Sequence, residues 1–141
     1  LGHTVALVAG DGRAPPFRPG SFDRVLVDAP CSGLGVLRRR ADARWRGGEA
    51  DLADLALLQA DLLVGAAALV RPGGQLVYSV CTVTEAETAG VDRRFREAEP
   101  RAEPEPVGRP WRPHGDHGSG GLLLPQDLDS EGMAVFRYRM V

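Results

Sequence analysis

The sequence predicts an α/β fold built on a parallel strand–helix–strand unit, and three features predict it. Two apolar strands, Val25-Leu26-Val27 and Leu76-Val77-Tyr78, each lead into a cysteine, Cys31 and Cys81. One long helical pattern separates them. A crossover of this kind is right-handed and sets its strands side by side and parallel, about 4.8 Å apart. Ligands of open α/β sheets bind beyond the carboxyl ends of such strands. The two thiols, 50 residues apart in sequence, are therefore expected to face one cleft.

The elements follow in order. His3-Thr-Val-Ala-Leu-Val-Ala reads as a first strand, ended by the turn Gly10-Asp-Gly-Arg. Residues 14–20 form a loop, because Pro15, Pro16 and Pro19 continue neither a ladder nor a helix. Residues 22–28 form a second strand whose near-continuous apolar run suits a sheet covered on both faces. Residues 29–48 are an irregular loop carrying Arg38-Arg39-Arg40 and Arg44-Trp45-Arg46. The clearest helix spans 51–70, with Leu52, Leu55, Leu58, Leu62, Ala66 and Leu69 on one stripe and Arg71-Pro-Gly-Gly as its stop. Residues 75–80 are the third strand. Thr84 with Glu87 three positions on suits a capping box for a helix running to about Glu99. Residues 100–121, rich in Pro, Gly, Glu and Arg, read as a flexible linker. Leu122-Leu-Leu and residues 133–141 read as an antiparallel hairpin at a sheet edge, joined by the polar turn 126–132. The domain thus divides into 1–99, the linker 100–121 and the hairpin 122–141.

Composition narrows the class. The 141 residues suffice for one domain with a core, and 43% hydrophobic with 26% charged content is ordinary for a globular protein. A net charge of −2 supplies no global field toward nucleic acid or anionic membrane. All 17 basic residues are Arg, and Lys, Ile and Asn are absent. A GC-rich coding bias explains this more simply than RNA binding. Two cysteines without a secretion signal point to a reducing, cytoplasmic setting. No apolar run is long enough to span a bilayer. The chain opens on Leu1 and directly on a strand-like run, which reads as the later part of something longer.

Several side chains have chemical potential, each with a plainer alternative. An ordinary thiol with a pKa near 8.5 is about 3% thiolate at neutral pH, and nearby arginines or a helix amino end raise that fraction. Cys81 is equally readable as a buried structural cysteine. A disulfide with Cys31 is sterically feasible at neighbouring strand ends but disfavoured in a reducing compartment. Asp28 at a strand end either accepts hydrogen bonds from a cationic ligand or base amine, or caps local backbone N–H groups. Gly33 and Gly35 permit either close approach to a ligand or a tight turn. Asp11 is explained equally by an Asx turn. The cluster of Arg38–Arg40, Arg44, Trp45 and Arg46 suits phosphate neutralisation and base stacking, or a solvated loop face. His3, His114 and His117 have no metal-ligand spacing, and no metal site is expected.

The wording of the chain then becomes specific. Asp28-Ala-Pro-Cys-Ser-Gly-Leu-Gly-Val, followed by Arg39-Arg-Ala-Asp-Ala-Arg-Trp, resembles the RNA cytosine-5 methyltransferases of the Sun and RsmB type. Gly10-Asp-Gly-Arg, Gly73-Gly-Gln-Leu-Val-Tyr-Ser-Val-Cys, Leu122-Leu-Leu-Pro and Gly132-Met-Ala-Val-Phe-Arg follow that family's order. The resemblance covers nearly the whole chain except the linker. The chain departs from it in having Val80-Cys81-Thr82 for Thr-Cys-Ser, Glu87-Thr88 for Glu-Asn, and Arg44 for a Lys before Trp.

The resemblance implies the later half of a Rossmann-like, S-adenosylmethionine-dependent methyltransferase domain, a mostly parallel sheet with a terminal antiparallel hairpin. It implies methyl transfer to carbon-5 of cytosine in RNA, specifically ribosomal RNA. Cys81 is then the nucleophile and Cys31 the residue that assists product release. Asp11 and Asp28 match cofactor-contacting positions, and Arg39 and Arg44 fall in the segment expected to meet RNA. The target base must be unpaired or flipped out. The resemblance also places a Gly-rich cofactor loop upstream of Leu1, with two strands between the 4–9 and 22–28 strands, so the 141 residues alone are expected to bind cofactor weakly and to methylate nothing detectable. Three rival readings are a non-catalytic RNA-binding scaffold, a thiol redox pair, and a DNA cytosine methyltransferase in which Cys31 is the nucleophile.

Overall fold

The crossover expected between the two cysteines is present. The computed structural model describes residues 5–45 and 48–141. Its elements are β1 (Phe22–Asp28), α1 (Glu49–Ala67), β2 (Val70–Val80), α2 (Ala89–Ala98), β3 (Ala102–Glu105), β4 (Arg112–His114), β5 (Gly120–Leu123), α3 (Pro125–Leu128) and β6 (Met133–Met140). Short 3-10 turns occupy Ala41–Trp45 and Asp116–Gly118. The strands form one sheet in the order β1-β2-β6-β5-β4, with β3 also on β6. β1 and β2 are parallel, Asp28 beside Ser79. The other ladders, β2–β6, β3–β6, β4–β5 and β5–β6, are antiparallel. The parallel part of this α/β sheet is thus the pair that carries the thiols.

Alternation along the central strands sorts the two faces. Leu76, Tyr78 and Val80 of β2 and Ala134, Phe136, Tyr138 and Met140 of β6 are fully buried. α1 and α2 pack together and contribute Leu63, Val91 and Phe95 to the same core. α1 meets it through small residues, Ala56, Ala60, Ala66 and Ala67, which let a helix approach a sheet closely. Only the later part of the apolar stripe reaches the core: Ala66 and Leu69 are buried, whereas Leu52, Leu55 and Leu58 are half-buried. α1 also ends at Ala67, short of the Arg71-Pro72 stop, because β2 begins at Val70.

Four further expectations need correction. Within the first predicted strand, residues 5–9 join no ladder, and Leu7 is 93% exposed; His3 and Thr4 lie outside the described residues. An apolar run holds strand geometry only where a neighbour satisfies its backbone, and among the described residues β1 pairs with β2 alone. β1 is not covered on both faces: Val25 and Val27 are half-buried whereas Leu26 is 64% exposed. Residues 100–121, expected as a linker, carry β3, β4 and the first residues of β5. Their polar sequence is no obstacle, because their backbones pair with β6 or with each other rather than burying large side chains. The 122–141 hairpin forms, but β6 lies inside the sheet, between β2 on one side and β3 and β5 on the other.

Candidate active site at the carboxyl ends of β1 and β2

Cys31 and Cys81 converge as their strand positions require. Their sulfurs are 3.3 Å apart, both half-buried, and no disulfide joins them. Both line a cleft of about 880 Å³ bounded by the loop after β1 and the first half of α1, a size suited to a small organic ligand. Backbone bonds stitch this loop in place: Ala29 N–H donates to Ser79 O (3.2 Å), Gly35 N–H to Cys81 O (3.0 Å), and Gly132 N–H to Gly35 O (2.8 Å). Gly35 is glycine for that approach, since a Cβ there would lie 2.0 Å from Gly132 O. Gly33 adopts a φ of +71°, the left-handed region glycine tolerates. The structure shows a turn conformation at Gly33 and a close backbone contact at Gly35.

Burial pushes the Cys31 thiol up to about 12, with the hydrogen bond to Cys81 adding to the shift. Cys31 therefore keeps its proton at physiological pH and is the S–H donor whenever the pair carries a thiolate.

Asp28 sits on the cleft rim. Among the described residues its carboxylate has no hydrogen-bond partner, so the local-cap explanation does not hold. Asp51 and Asp54 also line the cleft, opposed by Arg40. Leu52, Leu55 and Leu58 form its apolar wall. An excess of carboxylates around an apolar floor suits a ligand carrying both positive charge and a flat apolar group.

The other sequence-predicted residues are not brought to this cleft. Asp11 lies in an exposed turn, clamped by Arg13 through Nε (3.1 Å) and Nη2 (2.7 Å) and by the Arg13 N–H (2.9 Å). Those bonds hold its carboxyl at about 2. The turn packs on the second half of α1, where a Cβ on Gly65 would lie 2.8 Å from Gly12 O and Arg13 O. Arg39 donates to Glu131 (2.7 Å) and Arg38 to Asp129 (2.5 Å), so the arginine cluster is partly tied to the turn before β6. Arg44 lies in the Ala41–Trp45 turn, and its side chain is outside the described residues. No cluster of His, Cys, Asp or Glu among the described residues could hold a metal.

Glu87 lies elsewhere than its capping-box spacing implies. Glu87 is fully buried and does not cap α2, whose N-cap is Thr88. Its Oε1 accepts from Ser32 N–H (2.8 Å) and Gln59 Nε2 (3.1 Å). Its Oε2 accepts from Ser32 Oγ (2.6 Å), Thr82 Oγ1 (3.0 Å) and Thr84 Oγ1 (2.9 Å). Burial alone would raise its carboxyl; donation from Ser32, Thr84 and Gln59 outweighs it and holds the group below the usual range. The Thr-x-x-Glu spacing that signals a capping box is the available signal, and half of that box is present, Glu87 N–H donating to Thr84 Oγ1 at 3.4 Å. The spacing carried no information that Glu87 also reaches Ser32, 55 positions away.

With the geometry in place, comparison with known proteins gives a consistent result. The sequence model of the family described as 16S rRNA methyltransferase RsmB/F matches residues 1–137. The putative methyltransferase Rv1407 of Mycobacterium tuberculosis is 57% identical over 89 residues, covering 63% of this chain and 19% of that protein. Ribosomal RNA small subunit methyltransferase B of Salmonella paratyphi B is 39% identical over 123 residues, covering 86% of this chain and 29% of that protein. The crystal structure of PH0851 superposes with a TM-score of 0.87 at 30% identity, over 94% of this chain and 30% of that one. The chain therefore spans less than a third of the length of these relatives.

Proposed function

We propose that this chain, which belongs to the RsmB/F family of 16S rRNA methyltransferases, carries the thiol machinery for methyl transfer to carbon-5 of cytosine in ribosomal RNA. The observation that carries this reading is the 3.3 Å pairing of Cys31 with Cys81 in one cleft. A cytoplasmic location accompanies it, and no described helix is long and apolar enough to cross a membrane.

Carbon-5 of cytosine is a poor nucleophile, so the reaction needs a group that adds to carbon-6. In this reading the Cys81 thiolate forms the bond to carbon-6, and the displaced electron pair makes carbon-5 electron-rich. S-adenosylmethionine supplies an electrophilic methyl group when bound. Asp28, with its carboxylate unpartnered at the cleft rim, is the group suited to the cofactor's positive charge or to the exocyclic amine of the base. A base, such as a water entering the cleft, then takes the carbon-5 proton, and the electron pair left behind breaks the bond between carbon-6 and Cys81, whose sulfur leaves as thiolate. Cys31 keeps its proton and stands next to the departing sulfur, so its S–H stabilises the returning thiolate. That is the role of a release assistant. Asp11 is assigned to the cofactor by resemblance alone, since Arg13 occupies its carboxylate here. Arg39, 78% exposed and held among the described residues by Glu131, can exchange that partner for an RNA phosphate, and Arg44 is assigned to the same surface.

Incubation of this chain within a full-length protein that supplies the upstream cofactor loop, with S-adenosylmethionine and RNA containing 5-fluorocytosine, tests the reading, because fluorine at carbon-5 blocks the final elimination. A covalent RNA adduct mapped by mass spectrometry to Cys81, absent in Cys81→Ala, is expected. Attachment at Cys31 would transfer the nucleophile's role to that residue, and no adduct at either would leave a non-catalytic scaffold.

A further inference from the structure

We infer that Glu87 is a positioning residue that locks the two thiol-bearing loops into one register, and that its five hydrogen bonds set the distance between Cys31 and Cys81. Ser32 follows Cys31 and Thr82 follows Cys81. Both donate to the same oxygen, Glu87 Oε2, at 2.6 and 3.0 Å, and their own hydroxyls lie 3.0 Å apart. The residues on the two sulfurs' chain neighbours thus meet at a single acceptor. Gln59 extends the lock to the rest of the loop: its Nε2 donates both to Glu87 Oε1 (3.1 Å) and to Pro30 O (2.8 Å), just before Cys31. The Tyr78 hydroxyl, from β2, lies 2.7 Å from Glu87 O and 3.0 Å from Gln59 Oε1. Loops after strands ordinarily move independently. Here a buried carboxylate, with no cationic partner among the described residues, ties them together through neutral donors.

A carboxylate is the group for this task because it accepts at two oxygens with several lone pairs and donates nothing. A glutamine would present N–H groups to some of the same donors. Glu87 does not touch the cleft, so its effect on chemistry passes through Cys31 and Cys81. The inference rests on reading those thiols as the working pair, but its test does not.

The test is the rate of disulfide formation between Cys31 and Cys81 in the folded chain under diamide, which takes two electrons and two protons from the thiols and becomes a hydrazide. The unsubstituted chain is expected to close rapidly, since only a small movement brings sulfurs 3.3 Å apart into bonding range. Glu87→Gln is expected to slow closure at least tenfold at a temperature where circular dichroism shows both proteins folded. Asp92→Asn, which disturbs a buried carboxylate elsewhere, is expected to leave the rate unchanged despite a lower Tm. Equal rates for Glu87→Gln and the unsubstituted chain would overturn the inference, as would equal slowing by Asp92→Asn. Should Glu87→Gln fail to fold, Ser32→Ala and Thr82→Val each remove one donor and are expected to slow closure by smaller factors; unchanged rates in both would also overturn it. A failed RNA adduct with an Glu87-dependent closure rate would sink the methyl-transfer reading and leave this one standing.

Discussion

Glu87 and Asp92 are both fully buried carboxylates, five residues apart, and they are stabilised by different means. Asp92 accepts from Arg96 through Nε (3.1 Å) and Nη2 (3.0 Å), from Tyr138 (2.9 Å) and from Ser119 (2.8 Å). It joins α2 to β6 and to the start of β5, and it has a counter-charge. Among the described residues Glu87 has only neutral donors, Ser32, Gln59, Thr82 and Thr84. The Arg96 side chain is 28% exposed and also approaches Asp116 at 3.5 Å, so it can hydrate or change partner if Asp92 is lost. Gln59 and Thr82 are fully buried, away from water. A buried charge with a mobile partner is a structural clamp that tolerates damage, whereas one held by trapped neutral donors is a rigid template. The template stands beneath the cleft.

Truncation gives the largest expected difference. Glu87→Ala strands several buried donors and is expected to cost about 3–5 kcal/mol, near the upper range for breaking a buried polar network. Asp92→Ala is expected to cost about 2 kcal/mol, because water reaches Arg96. Urea denaturation of both variants measures this, and a larger loss for Asp92→Ala would reverse the ranking of the two sites.

The tyrosines sharpen the contrast in the opposite direction. Tyr138 donates to the charged Asp92 Oδ1, and Tyr78 to neutral oxygens. A hydrogen bond to a charged group contributes about 1.5–3 kcal/mol and a neutral one about 0.5–1.5. Tyr138→Phe is therefore expected to destabilise more than Tyr78→Phe, by about 1 kcal/mol in the same denaturation series. Equal losses would mean that Arg96 already saturates Asp92.

How far the sequence disclosed these sites follows from the range of the interactions. The Cys31–Cys81 cleft was legible because it depends on strand periodicity and one crossover, both written in consecutive residues. The tie through Glu87 was not, because the Thr84-x-x-Glu87 pattern is complete as a local capping signal and offers no reason to look for Ser32. Likewise β3 and β4 sit in a segment whose Pro and Gly content argues for a linker. Their pairing is decided by the backbones of β6 and β5, which composition does not describe. The 3–9 run shows the reverse failure: its alternation is strand-like, yet a strand exists only with a neighbour, and residues 5–9 have none in the sheet.

Acid tests the Glu87 site through a smaller effect. The Glu87 group is held below its ordinary value near 4.5 in the folded chain. A depressed folded value contributes stability that is complete above the unfolded value and is lost as pH falls through the folded one. Stability of the unsubstituted chain should therefore fall below about pH 4.5 more steeply than that of Glu87→Gln, by up to one proton's worth of slope. Thermal denaturation across pH 3–6 reads the difference, and parallel curves would show that Glu87 is not the titrating group.

The smallest expected effect lies at the alkaline end and belongs to the cleft itself. Cys31 is raised from 9.0 to about 12 by burial and by its bond to Cys81. A raised folded value has the opposite sign: its contribution is complete below about pH 9 and is lost as pH climbs toward 12. The side chain is only half-buried, so solvent screens the effect, and the loss by pH 10 is expected to stay under about 1 kcal/mol. Cys31→Ser removes the titrating group and should flatten the stability profile above pH 9. The same cause appears more sensitively in reactivity, since the thiolate is the nucleophile. At pH 8 iodoacetamide is expected to modify Cys81 at least about tenfold faster than Cys31, read by peptide mass mapping. Preferential modification of Cys31 would assign the retained proton to the other sulfur and exchange the proposed roles of nucleophile and release assistant.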